Sequence, residues 1–560
     1  MRKIKLLALL LLAVLLTSCS RKPDVIYTNG KIYTLDKNNT IVEAVAVSEG
    51  RILALGKTKE LTDKYSSSKV IDLKGKTVVP GFIDAEGNLM EFSRNLSFVD
   101  LRGTRKVEEI VKRVTDRVKT AKDNEWIGGF GWSDDALPQD EYENIDYTVL
   151  DKISTNCYIY LVNDRADMVW VNKKVLDAAK ITKDTPNPPN GEVEKDDSGE
   201  PTGILYDDAQ ELVMKILPQP TEAQVMDNVQ KGINELFKYG ITEVNDANMS
   251  EEILNIYKKM ADDNRFPIML YAMINGKSPL FEKYISSGPE IYKDHINIKC
   301  MSLEYDGYFE TQDAAMENDY LLDPKRKTPY NDEYDIREMC KKAFEKNFQV
   351  SIKAIGDRAV NGTLNALDSA SKQVKSKAGR TRIEYLEFVQ PADLQRIKQL
   401  DIIPSLRPEV TLADRTVLTG LINPDNGNNL GLWSTLLKQN GMVICGTDFP
   451  YHIINPLIQM YFLTTGMPVD TAGRKGINNT AQKMSILDAL RSFTSWSAYA
   501  CFEESIKGSL EPDKLADMVV LSEDIMQSDP KVLLNTKILM TILRGEVVYE
   551  NKTPTADLSK

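Results

Sequence analysis

Two histidines, His295 and His452, serve a chain of 560 residues. A hydrolytic centre whose metal hangs on several imidazoles cannot be assembled from that pair. The chemistry open to the chain rests on carboxylates, amines, phenols and guanidinium groups. His452 lies four residues past Asp448, so an imidazole and a carboxylate share one short segment. The cysteines add little. Beyond Cys19 they are Cys157, Cys300, Cys340, Cys445 and Cys501, scattered and without a C-x-x-C pair. That pattern argues against a zinc ribbon or a disulfide framework and reads as buried small hydrophobes. Lys plus Arg number 70 and Asp plus Glu 82, a formal net charge of −12. Such a chain lacks the basic face that a nucleic-acid partner requires. With 42% hydrophobic and 27% charged residues, global disorder and coiled coil are excluded as well.

The chain opens with Met1, Arg2, Lys3 and Lys5, followed by an apolar run from Leu6 to Leu16. The run is well short of the ~20 residues a spanning helix needs, and its charged start marks a secretory signal. It ends in Leu16-Thr17-Ser18-Cys19, which resembles the bacterial lipobox. The resemblance implies cleavage before Cys19 and lipidation of that residue. Residues 1–18 are thus expected to be a signal peptide and 19–23 a lipidated tether. The expected location is the bacterial cell envelope, periplasmic or extracytoplasmic, with a membrane reached through the lipid alone.

Short β-rich runs crowd both ends of the remaining chain. Val25-Ile26-Tyr27 and Lys31-Ile32-Tyr33-Thr34 flank Asn29-Gly30 and read as a hairpin; Ala44–Val47 and Arg51–Gly56 flank Glu49-Gly50 and read as a second. Ala516–Leu521, Ile538–Leu543 and Val547-Val548-Tyr549 have the same texture near the C-terminus. Isolated hairpins are marginal, so residues 24–78 and 505–555 are expected to pair as one small β-sandwich. Between them, residues 79–504 alternate strand and helix patterns. Helices are expected at Val107–Lys122, Thr221–Tyr239, Ile336–Lys346 and Asn361–Ser371, among others, and strands at Cys157–Val162, Gly240–Val244 and Gln349–Ile352. The alternation predicts an α/β fold, a (β/α)8 TIM-like barrel with insertions, one of them at Lys183–Pro201.

Several strings then resemble the amidohydrolase superfamily, in the branch that includes N-substituted formamide deformylases. They are Val79-Pro80-Gly81-Phe82-Ile83-Asp84-Ala85, Gly203-Ile204-Leu205, Ala354-Ile355-Gly356-Asp357-Arg358-Ala359, Arg382-Ile383-Glu384, Gly446-Thr447-Asp448 and Lys514-Leu515-Ala516-Asp517. They run in order from about residue 24 to 550 and imply the same barrel and split sandwich. The family's His-x-His metal ligands fall on Glu86 and Asn88, its later histidines on Lys353 and Tyr385, and its final aspartate on Asp448. The resemblance therefore implies a site without the family's divalent metal, because an ammonium has no lone pair to give.

Glu86, Lys353, Tyr385 and Asp448 each stand just beyond a strand and are expected to converge at the barrel mouth, with Lys353 paired to Asp448, Glu86 or both. Such a cluster serves either catalysis or a structural ion pair. Asn88, His452, Trp132 in Gly129-Phe130-Gly131-Trp132 and Arg407 in Ser405-Leu406-Arg407-Pro408 are candidates for holding a substrate. Trp132 offers a ring for stacking or a packed anchor, and Arg407 a clamp for a carboxylate. Three functions are open: metal-independent cleavage of an amide-type C–N bond in a small polar molecule, non-catalytic binding of such a molecule, or hydrolysis with metal held by other ligands. The export reading has its own test. Cys19→Ala is expected to move the protein from the membrane to the soluble fraction, checked by fractionation and by the mass of the mature N-terminus.

Overall fold

The computed structural model describes residues 22–552 apart from 68, 322–332, 375–378, 423–428 and 470–476. The signal and Cys19 lie outside the described residues. The centre of the fold is a sheet of eight parallel strands: Phe82–Gly87 (β1), Ile241–Met249 (β2), Met269–Asn275 (β3), Ile296–Glu304 (β4), Gln349–Ala354 (β5), Arg382–Tyr385 (β6), Ile403–Leu406 (β7) and Ile444–Cys445 (β8). Helices such as Glu222–Lys238, Asp357–Gln373 and Pro391–Gln399 return the chain between strands. The first of these starts at a capping box made by Thr221 and Gln224. Its buried residues, Met226, Val229, Ile233, Leu236 and Phe237, recur at helical spacing and face the barrel wall.

The sheet curls until β8 approaches β1, making a nearly closed TIM-like barrel. Side chains and single backbone bonds complete the seam. Buried Asp84 accepts hydrogen bonds from Thr447 N at 2.9 Å and from Thr447 Oγ1 at 2.7 Å. Asp448 N donates to Glu86 O at 2.9 Å. Burial pushes the Asp84 carboxyl up to about 7, although both Thr447 donors favour its ionised form.

Residues from Val99 to Asp207 leave the barrel and build a separate six-stranded sheet with its own apolar clusters. Tyr158–Asn163 belongs there, paired with Trp126–Trp132 and Met168–Val171, and is not a barrel strand. The inserted segment is accordingly longer than Lys183–Pro201. A strand with one face on an apolar core reads the same whichever core covers it.

At the ends of the chain, Thr77–Pro80 pairs antiparallel with Met518–Leu521 and parallel with Lys31–Tyr33, so both termini share one six-stranded sheet. A four-stranded sheet, including Val25–Thr28 and Ala44–Ser48, packs on it through Tyr27, Ile32, Val45, Val78 and Val520. Asn29-Gly30 does not close a hairpin. It carries the chain from one sheet to the other, because Tyr27 and Ile32 must enter the same core from opposite sides.

Gly446 lies on the seam, where a Cβ would stand 2.5 Å from Glu86 N and 3.1 Å from Glu86 O. The β1 backbone cannot yield cheaply, and the buried Arg407 guanidinium carbon stands 3.1 Å from the same Cβ. Gly446→Ala is expected to lower the unfolding free energy by about 1–3 kcal/mol, measured by urea denaturation.

Candidate active site at the barrel mouth

Strand register decides which side chains meet. Along β6, Arg382 and Glu384 are two residues apart and both enter the barrel, and Glu384 lies beside Lys353 on β5 and Ser405 on β7. Glu384 is shared by two guanidinium groups. Arg382 Nε lies 2.8 Å from its Oε1 and Arg407 Nη2 lies 2.8 Å from its Oε2. Ser351 Oγ donates to Oε1 at 2.6 Å. Arg407 Nη2 also donates to Glu86, while its Nη1 donates to Ser405 Oγ at 3.0 Å and Leu406 O at 2.8 Å. Arg382 continues the network to Asn245 Oδ1 at 2.7 Å and to Ala85 O. Arg407 is only 1% exposed and Glu384 2%.

This arrangement corrects two expectations. Arg407 does not wait at the mouth for a substrate carboxylate; its fork is already filled by Glu86 and Glu384. Lys353 does not pair with Glu86 or Asp448. Its Nζ lies 3.7 Å from Glu304 Oε2 and 4.2 Å from the centre of the Tyr308 ring. Glu304 and Lys353 are direct register partners on β4 and β5, and that neighbour captures the ammonium first. A cavity of about 10 Å³, room for roughly one water, lies among Glu86, Asn248, Ser302, Ser351, Lys353 and Glu384.

Asp448 forms the other half of the site. Tyr385 OH donates to Asp448 Oδ2, and His452 Nε2 stands 3.8 Å from the same oxygen. Tyr308 OH lies 3.3 Å from Tyr385 OH, extending the phenol chain toward solvent. Burial raises the Asp448 pKa, opposed by His452, by the Tyr385 hydrogen bond and then by Arg407 and Lys353. Burial and the neighbouring Asp448 charge hold the Tyr385 phenol well above its ordinary value. Both residues have left-handed backbone, φ 69° for Tyr385 and φ 55° for Asp448. An aspartate tolerates that region but a tyrosine rarely adopts it, and such strain gathers at functional sites.

Two further candidates have structural roles, Asn88 beside the mouth and Trp132 away from it. Asn88 caps the helix Leu89–Asn95, its Oδ1 accepting from Glu91 N at 2.8 Å, so its amide oxygen is engaged in structure. Trp132 is fully buried in the inserted sheet, edge-on to Trp170 and donating to Leu161 O at 3.2 Å. A tryptophan packed on both counts cannot stack on a substrate. Sequence reasoning had in turn passed over Glu384 and Arg382 as site residues. The signal was their i, i+2 spacing on a strand, which puts two opposite charges on one inward face.

An eight-stranded parallel barrel with its polar cluster at the C-terminal mouth has the architecture of a TIM-barrel enzyme. The chain belongs to the amidohydrolase family, whose pattern matches residues 69–549. It is 25% identical to YtcJ of Bacillus subtilis (strain 168), named as an amidohydrolase, over 94% of this chain and 99% of that protein. It is 23% identical to the N-substituted formamide deformylase of Arthrobacter pascens, over 94% and 98%. An uncharacterized metal-dependent hydrolase from Pyrococcus furiosus shares the fold, with a TM-score of 0.70 at 24% identity over 90% of this chain and 100% of that one.

A divalent metal is the group such a barrel implies, and the donors present here do not fit one. Glu86 is engaged by a guanidinium, while Lys353 and Tyr385 offer an ammonium and a protonated phenol. Among the described residues no three His, Cys, Asp or Glu side chains gather closely enough to share an ion.

The Asp448–Tyr385 pair predicts a pH effect. A carboxyl raised in the folded state favours folding most below the ordinary carboxylate range, and that contribution fades as pH rises through the folded value. Tyr385→Phe removes a bond to the ionised form and so raises Asp448 further. The unfolding free energy of the variant is expected to fall more steeply from about pH 4 to neutrality, ending about 1–2 kcal/mol below the wild type. Urea titrations at several pH values check it.

Proposed function

We propose that this amidohydrolase-family protein hydrolyses an amide-type C–N bond of a small polar molecule without a metal ion. The observation that carries the reading is Asp448 at the mouth, held by Tyr385 and faced by His452 at 3.8 Å. In its ionised form Asp448 takes a proton from water as the oxygen attacks the substrate carbonyl. The proton then passes through His452 to the departing nitrogen, so that one C–O bond forms and one C–N bond breaks. The ammonium of Lys353, buried beside Tyr308, supplies positive charge to the oxygen of the tetrahedral intermediate. The similarity to a formamide deformylase supports an amide-type bond as the target. The lipobox resemblance supports attachment to a membrane through Cys19 as the setting. No helix among the described residues is long and apolar enough to cross one.

A second reading, non-catalytic binding of a small molecule, is favoured by Glu86, whose carboxylate is held by Arg407 and so is not free to move a proton. The two readings separate on turnover. With a panel of N-substituted formamides, hydrolysis is expected to survive exhaustive chelation. Asp448→Asn is expected to reduce kcat/KM by about 10²–10⁴-fold. Turnover that chelation abolishes would restore metal chemistry, and binding without turnover would leave the second reading.

A further inference from the structure

We propose that Arg407 is a built-in substitute for a divalent cation, and that the barrel regains a cation site when this guanidinium is removed. The inference rests on the metal-free reading of the mouth. Its ground is the way Arg407 is held. One nitrogen, Nη2, donates to Glu86 at the end of β1 and to Glu384 on β6. The other terminal nitrogen donates to Ser405 Oγ and Leu406 O on β7. A single positive group therefore ties three barrel strands through two carboxylates and two neutral oxygens. That is the work a metal ion does among strand ends, here done by a side chain.

Charge balance makes the substitution specific. Glu86 and Glu384 bring two negative charges into a space almost closed to water, with 9% and 2% exposure. Arg382 and Arg407 bring two positive ones. Glu384 lies between both guanidinium groups and Glu86 touches Arg407. Take Arg407 away, and Glu86 and one oxygen of Glu384 lose their direct ion-pair partner, with the nearest remaining cations already turned elsewhere, Lys353 to Glu304 and Arg382 to the other oxygen of Glu384. Buried carboxylates do not stay ionised and unpaired; they take up a proton or a cation. Oxygen donors of this kind suit a hard divalent ion, and Mn²⁺ accepts carboxylate and hydroxyl ligands readily. Arg407→Lys keeps the charge and so keeps the ion out.

The test is a cation titration that reads no activity, so it stands or falls apart from the hydrolytic proposal. Wild type, Arg407→Lys and Arg407→Ala are stripped with EDTA, dialysed, and titrated with MnCl₂. Bound metal is measured by elemental analysis and stability by thermal melting. Wild type and Arg407→Lys are expected to take up no ion at this site and to melt at the same temperature throughout. Arg407→Ala is expected to melt lower without metal, to bind about one Mn²⁺ per chain, and to gain several degrees as the site fills. Adding Glu86→Gln to Arg407→Ala is expected to abolish that gain. If Arg407→Ala cannot fold without metal, Arg407→Gln is titrated in its place, and refolding of either variant only with Mn²⁺ supports the proposal. Variants that fold and ignore Mn²⁺, or that stay unfolded in its presence, overturn it. So does wild type binding the ion as well as they do.

Discussion

Charge inside a barrel must be matched within the barrel. Arg382, Glu384, Arg407 and Glu86 meet that constraint as one chain of contacts, and much of the mouth follows from it. A buried ion pair adds little net stability over an apolar filling, but losing one partner costs about 3–5 kcal/mol because the other is left charged. The network therefore specifies geometry more than it deepens the fold. It tells β1, β6 and β7 where to stand relative to one another. A second buried cluster performs the same service elsewhere in the barrel, where Lys507 meets Glu243 and Glu503, and Glu503 accepts from Asn297 Nδ2 at 2.9 Å.

Asp448 depends on that framework without belonging to it. The seam between β8 and β1 fixes its backbone, through the bond from Asp448 N to Glu86 O and the anchoring of Thr447 on Asp84. Its side chain meets a phenol and an imidazole in place of a guanidinium. The carboxylates thus divide by role. Glu86 and Glu384 are each paired to a guanidinium, while Asp448 has a phenol and an imidazole beside it. Tyr308, 38% exposed, is the member of this group that solvent and a ligand can reach.

The barrel was legible because it is written in periodicity: helices such as Glu222–Lys238 and strands such as Gln349–Ala354 lie within a few residues of where their patterns put them. Partnership between sheets was not. Asn29-Gly30 has the composition of a hairpin turn, and only the shared core of Tyr27 and Ile32 shows that it joins two sheets. The same limit governs the site. The residue positions at strand ends were readable one by one, whereas the choice of counter-ion for Glu86 was not. Lys353 and Arg407 are both cations beyond the reach of local pattern. Lys353 is drawn to its register neighbour Glu304, while Arg407 turns inward at the first position after β7. Spacing along the chain carries no information about which of two distant charges arrives.

The seam between the chain ends sets a timetable. Thr77–Pro80 has Met518–Leu521 as its antiparallel neighbour, and the second strand leaves the ribosome 438 residues after the first (518 − 80). At about 5–20 residues per second the early strand waits roughly 20–90 s for its mate. Throughout that interval the first sheet is short of its central partner, and Val78 and Val79 have only part of their cover. The sandwich is therefore a late clasp on the molecule. A sheet fastened this way stays unfinished until Met518–Leu521 has emerged, however early its first strands were made.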